Sequence, residues 1–194
     1  MAALTVLIIR HAEKPGENWP GPGLTAEAQP DRKSLVIRGW QRAGAWAALF
    51  GSGRGGTDYP IPDAVYAAQP DPYDGPLSAG GEPSQRPYET IRSLADRLGL
   101  KPVIRWAKGE ESELVAEITC LHGVVLVCWE HKLITGALVP DLLAGQTVAN
   151  VPTRWDEHRF DVVLQFDRAE DGAPWSFRQL FPCLLAGDSD VALT

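Results

Sequence analysis

The segment Leu4-Thr5-Val6-Leu7-Ile8-Ile9 is a short apolar run rich in β-branched residues, the pattern of a strand buried on both faces of an α/β sheet. It ends abruptly at Arg10-His11. Pro15, Gly16, Pro20, Gly21, Pro22 and Gly23 then predict a long loop over Pro15–Lys33, where no apolar period supports a helix. From Leu35 to Phe50, Val36, Trp40, Ala43, Trp46 and Ala47 recur at near-helical spacing until Gly51. Ala64–Ala68 reads as a short strand and Gln69–Ser84 as a second Pro/Gly-rich loop. Arg86–Leu98 has Ile91, Leu94, Ala95 and Leu98 on one helical face.

Further along, Lys101–Trp106 predicts a strand, Glu110–Leu121 a helix and Val124–Trp129 another buried strand. A helix is expected from beyond His131 to about Leu143, then two later strands at Phe160–Phe166 and Trp175–Leu180, placed at a sheet edge. Strands alternating with helices imply an α/β layered domain. No internal repeat or separating linker is present, so residues 1–194 are read as one domain.

Composition narrows the function more than the fold. The apolar fraction of 44% and charged fraction of 22% are those of an ordinary globular chain. A net charge of -7 and a pI near 5.1 exclude a general nucleic-acid binder, since phosphate backbones are gripped by basic surfaces. Any phosphate site must be a local concentration of arginine. Leu4–Ile9 is far shorter than a membrane span, which needs about 20 residues, and lacks the flanks of a signal peptide. No membrane association and a cytoplasmic location are the expectation. Cys120, Cys128 and Cys183 form no CxxC pair and read as reduced packing thiols.

Two histidines carry the chemical interest. His11 follows the first strand and His131 follows the strand ending at Trp129, and ligands of open α/β sheets collect beyond the carboxyl ends of strands. Taken singly, each could be a satisfied, partly buried histidine. Their company argues otherwise. Arg10 abuts a buried strand, where a charge needs an acceptor. Arg86 opens a helix, where a guanidinium fork joins free backbone N–H groups and a favourable dipole; a solvated helix-end role is the competing reading.

Ile8-Ile9-Arg10-His11-Ala12-Glu13-Lys14 resembles the opening motif of the histidine phosphatase superfamily, the phosphoglycerate-mutase-like group, usually Arg-His-Gly-Glu. Gly39-Trp40-Gln41-Arg42-Ala43 resembles its Gly-x-x-Gln-Ala helix, and Arg86-Pro87-Tyr88-Glu89-Thr90 its Arg-x-x-x-Thr helix start. Val124–His131 is similar to the segment delivering its second histidine. The four matches occur in the family's order over most of residues 4–143. Ala12 replaces the usual glycine, His131 is not followed by one, and no segment clearly matches the family's acid-bearing loop.

The resemblance implies a phosphoglycerate-mutase-like fold, a three-layer α/β/α sandwich around a mostly parallel sheet. It implies phosphomonoester hydrolysis with His11 as nucleophile, and with Arg10, Arg86 and protonated His131 holding the phosphoryl oxygens. No metal and no cofactor are expected, and the partner is a small-molecule phosphate ester. A homodimer is a possible assembly. Glu130 is chosen as proton donor over Glu110 or Glu111, because burial beside His131 would raise its pKa. A phosphomutase would use the same constellation in a typically longer chain. The same residues would also serve a non-catalytic phospholigand-binding relative, and a metal-dependent hydrolase is a poorer match to them. Substrate identity is left open. The two long loops are expected to shape the pocket, while most of the tryptophans are expected to pack in the core.

Overall fold

A computed structural model of the chain describes residues 3–16, 18–71 and 83–194. Most of the predicted Gln69–Ser84 loop, residues 72–82, lies outside the described residues. One five-stranded sheet runs in the order β2-β3-β1-β4-β5, built from β1 (Leu4–Arg10), β2 (Ala64–Ala67), β3 (Gly123–Trp129), β4 (Val163–Arg168) and β5 (Ser176–Leu180). The helices are α1 (Ile37–Gly51), α2 (Gln85–Leu98), α3 (Glu111–Ile118), α4 (His131–Leu133) and α5 (Val139–Leu143), the last two joined by a π-helical stretch, Ile134–Leu138.

Alternation along β1 divides the core. Leu4, Val6 and Ile8 pack with Leu114 and Ile118 of α3 and Leu142 of α5, while Leu7 and Ile9 pack with Trp46 and Phe50 of α1 and Ile91 and Leu94 of α2. A strand with helices packed on either face is apolar at nearly every position, which is why its sequence shows no alternation.

The sheet is mixed rather than mostly parallel. Pairings β2–β3 and β3–β1 are parallel, whereas β1–β4 and β4–β5 are antiparallel. A tight reversal suffices between β4 and β5, where Ala173 N–H donates to Glu170 O at 3.1 Å; a parallel neighbour would need a long crossover. Of the two late strands, β5 is the one at the edge.

The expected strand Lys101–Trp106 is reduced to one bridge, Tyr66 to Val103. Val103 exchanges hydrogen bonds with Val65 and Ala67, and Gln69 N–H donates to Trp106 O, so the segment flanks β2. Pro102 supplies no N–H to extend that ladder. The predicted helix after His131 is present but widens ahead of Pro140: Val139 N–H reaches Ile134 O, the i→i−5 spacing of a π-turn. Cys128 is a buried packing thiol, whereas Cys120 and Cys183 are exposed. Four of the tryptophans, Trp46, Trp129, Trp155 and Trp175, are buried.

Candidate active site

Neighbouring parallel strands carry both histidines to the same carboxyl-terminal end of the sheet. Arg10 of β1 lies in register with Trp129 of β3, and His11 N–H donates to Trp129 O at 3.0 Å. His131 follows two residues after Trp129. The chain leaves the strand at Glu130, which caps α4, so strand alternation no longer separates Glu130 from His131.

His11 is almost fully buried, and its Nδ1 lies 2.8 Å from Ala12 O. A carbonyl can only accept, so Nδ1 must carry the proton and Nε2 the lone pair. Burial, reinforced by the positive charge of Arg10, holds the ring pKa down to about 3. His11 is therefore a neutral imidazole with a free nitrogen, the form a nucleophile requires. Thr90 steadies the residue beside it: Ala12 N–H donates to Thr90 Oγ1 at 2.8 Å, and that hydroxyl donates to Arg86 O at 2.7 Å.

Arg10 is fully buried, and the acceptors it needs come from a distant loop. Its Nη1 donates to the carbonyls of Asp156, Glu157 and Arg159 at 3.3, 2.7 and 3.0 Å. Its guanidinium lies 3.8 Å over the Phe160 ring, whose centroid is 6.2 Å from that of His11. Nε and Nη2 of Arg10 have no hydrogen-bond partner among the described residues. Burial lowers its pKa to about 10, which leaves it charged at neutral pH. Arg86, half-buried at the start of α2, donates from Nη2 to Arg32 O at 2.7 Å, and its buried Nε has no partner among the described residues. Its charge also acts on His11. Arg10, His11, Arg86, Glu130 and His131 thus share one local field.

For Glu130, the expectation of a raised pKa is corrected. Burial does push its pKa up, but contact with His131 and the backbone N–H of Leu133 outweigh it, and the pKa falls to about 2. Oε1 lies 2.6 Å from Nδ1 of buried His131, and Oε2 accepts from the N–H groups of Lys132 and Leu133 at 3.0 and 3.2 Å. The Nδ1 contact lies off the hydrogen-bonding direction, so it is chiefly a charge contact. The rivals are also engaged. Glu111 is buried and accepts from Trp129 Nε1 at 2.7 Å. Glu110 accepts from Ala107 N–H at 2.9 Å.

No family model matches this sequence, and a search of curated proteins finds no similar one. Solved structures do match. A mycobacterial glucosyl-3-phosphoglycerate phosphatase superposes with a TM-score of 0.52 at 16% identity, over 92% of this chain and 98% of its own. A mycobacterial hydrolase superposes with a TM-score of 0.54 at 15% identity, over 99% of this chain and 94% of its own. The fold is that of the phosphoglycerate-mutase-like histidine phosphatases.

Within this fold, a buried ion cluster supports the loop that follows His11. Glu13, fully buried, receives Arg42 Nε at 2.9 Å and Nη2 at 2.8 Å, and Arg42 also clamps Asp188 at 3.0 and 2.7 Å. Arg38 adds its Nε at 3.3 Å from Glu13 and donates to Ala186 O at 2.6 Å. Gly39 permits the approach of α1: a Cβ there would sit 2.4 Å from Glu13 O. Glu13, Arg42 and Thr90 lie inside the matched motifs, which signalled them without revealing their partners. Phe160 and Asp188 carry no signal in the sequence. Among the described residues, no group of three or more His, Cys, Asp or Glu side chains is placed to hold a metal ion, and no helix is long and apolar enough to cross a membrane.

Proposed function

We propose that this protein is a phosphatase that hydrolyses a small phosphomonoester through a phosphohistidine on His11. The observation that carries the reading is the neutral His11 ring, tied at Nδ1 to Ala12 O and lying beside a buried arginine with two unpartnered donors. One fold hosts many activities, so the argument rests on this geometry. That a phosphatase and a hydrolase share the fold supports the same direction.

His11 Nε2 attacks phosphorus, the ester P–O bond breaks, and the leaving oxygen takes a proton. Water then attacks phosphorus, the P–N bond breaks, and inorganic phosphate is released. Dividing one displacement into two lowers each barrier. Nε and Nη2 of Arg10 and Nε of Arg86 bind the phosphoryl oxygens, where fixed positive charge stabilises the transition state. Ionised Glu130 is a poor acid. Its role in this reading is to hold His131 at Nδ1, so that the opposite ring nitrogen binds phosphate and supplies the leaving-group proton. No metal takes part, and turnover in excess chelator should equal that without it.

Rapid acid-free quenching with radiolabelled substrate tests the intermediate. Acid-labile, base-stable label on the wild type, absent from His11→Asn, is the expected result. Full turnover by His11→Asn would overturn the reading.

A further inference from the structure

Asp31 and Glu89 meet at a single hydroxyl. Ser34, fully buried in the segment leading into α1, has its Oγ 2.7 Å from Asp31 Oδ2 and 2.6 Å from Glu89 Oε1. A serine hydroxyl carries one proton, so it can donate to one of these oxygens. Oxygens that both only accept repel at such distances, and the second contact requires a carboxyl group that itself donates to Ser34 Oγ.

The surroundings decide which carboxyl group that is. Asp31 is partly exposed, its Oδ1 accepts from Lys33 N–H at 3.1 Å, and the hydrogen bonds from Ser34 and Lys33 hold its pKa down. Glu89 is almost fully buried on α2, and burial pushes its pKa up. Its second oxygen, Oε2, is taken by Leu35 N–H at 2.9 Å. The proton therefore sits on Glu89 Oε1, and donation runs from Glu89 through Ser34 to Asp31. The charges acting on Glu89 are those of Asp31, from the loop, and Arg86, from α2 itself, while Lys33 acts on Asp31 in turn.

This link reaches the phosphate-binding residues through Arg86. Arg86 lies three residues before Glu89 on α2, and its Nη2 donates to Arg32 O, the carbonyl next to Asp31. The segment moves as a unit, because it is tightly packed: Asp31 N–H donates to Gly23 O at 2.8 Å, and a Cβ on Gly23 would lie 2.2 Å from Asp31 O. An ionised Glu89 would face the Asp31 carboxylate across Ser34 and would compete for the charge of Arg86.

Building on the phosphatase reading, we infer that Glu89 is a positioning residue acting as a neutral acid: its proton ties α2 to residues 31–35 and leaves the Arg86 guanidinium to the substrate's phosphoryl group. Loss of that proton weakens phosphoryl binding, so affinity falls as pH rises through the titration of Glu89.

Two measurements on the full chain test this. At about pH 6, where exposed carboxylates are ionised, the infrared spectrum of the wild type should show a carboxylic-acid C=O band that Glu89→Gln lacks. Absence of that difference overturns the inference whatever the activity. Sulfate, which stays dianionic, serves as the phosphoryl probe in calorimetry between about pH 5 and pH 8. Over that range the affinity of the wild type relative to Glu89→Gln should fall by roughly fivefold, the scale of one partly screened charge. The ratio cancels titration of His131, which both proteins share. Glu89→Gln keeps a donor for Ser34 Oγ, whereas Glu89→Ala should bind sulfate weakly throughout. A flat ratio shows Glu89 to be merely structural and overturns the positioning role. If the band and the fall are both seen but nitrophenyl phosphate is not hydrolysed, the phosphatase reading fails while the tie between Glu89 and Arg86 is upheld.

Discussion

Replacing His11 by asparagine tests whether burial is what keeps this ring neutral. Asparagine retains a side-chain N–H able to reach Ala12 O, preserves much of the shape, and removes the titrating ring. In the folded protein His11 titrates near 3 instead of 6.5, because the ring is buried and Arg10 stands beside it. Between those values the unfolded chain binds a proton here that the native state does not. Stability therefore falls as pH drops below 6.5 and is regained as pH rises. Each pH unit within that window costs about 1.4 kcal/mol, so the wild type at pH 5 carries a penalty of roughly 2 kcal/mol that the variant lacks. Glu130, ionised down to about pH 2, contributes equally to both proteins at pH 5 and cancels. Urea unfolding followed by tryptophan fluorescence in phosphate-free buffer at pH 8 and pH 5 measures the difference. The wild type should lose about 2 kcal/mol more than His11→Asn over that interval. Equal losses would refute the claim that the native ring resists protonation.

The remaining expectations concern the supports. Arg42→Met should destabilise the fold by about 3–5 kcal/mol, because fully buried Glu13 loses its hydrogen bonds from Arg42 and keeps Arg38 at 3.3 Å; denaturant midpoints check this, and a loss under about 1 kcal/mol would show that Arg38 or solvent compensates. Glu130→Gln should slow an alkyl phosphate and nitrophenyl phosphate by similar factors, because an ionised residue that holds His131 affects both; a much larger loss on the alkyl ester would identify Glu130 as the leaving-group acid.

Locally determined features were legible. The apolar run before Arg10, the helical spacing of α1 and α2 and the buried strand ending at Trp129 all appear within a residue or two of their predicted places. Each depends on the periodicity of a single element, which the chain states directly. The placement of His11 and His131 after strands was legible for the same reason. Lys101–Trp106 failed because apolar content was weighed without the missing N–H of Pro102.

The sequence by itself determined β1, β3, α1 and α2 and which residue types stand at their ends. Only the tertiary structure decided that β3 lies beside β1, which brings the two histidines together at the carboxyl-terminal end of the sheet. It also decided that β4 and β5 join the sheet antiparallel, and that Arg10 is held by carbonyls 146 to 149 residues away. The reversal of the Glu130 pKa belongs with these, since burial alone favours the neutral acid and the positions of His131, the Leu133 N–H and His11 outweigh it. Periodicity is written residue by residue, whereas hydrogen-bond partners and desolvation depend on what folding brings near, and no short stretch of chain encodes that.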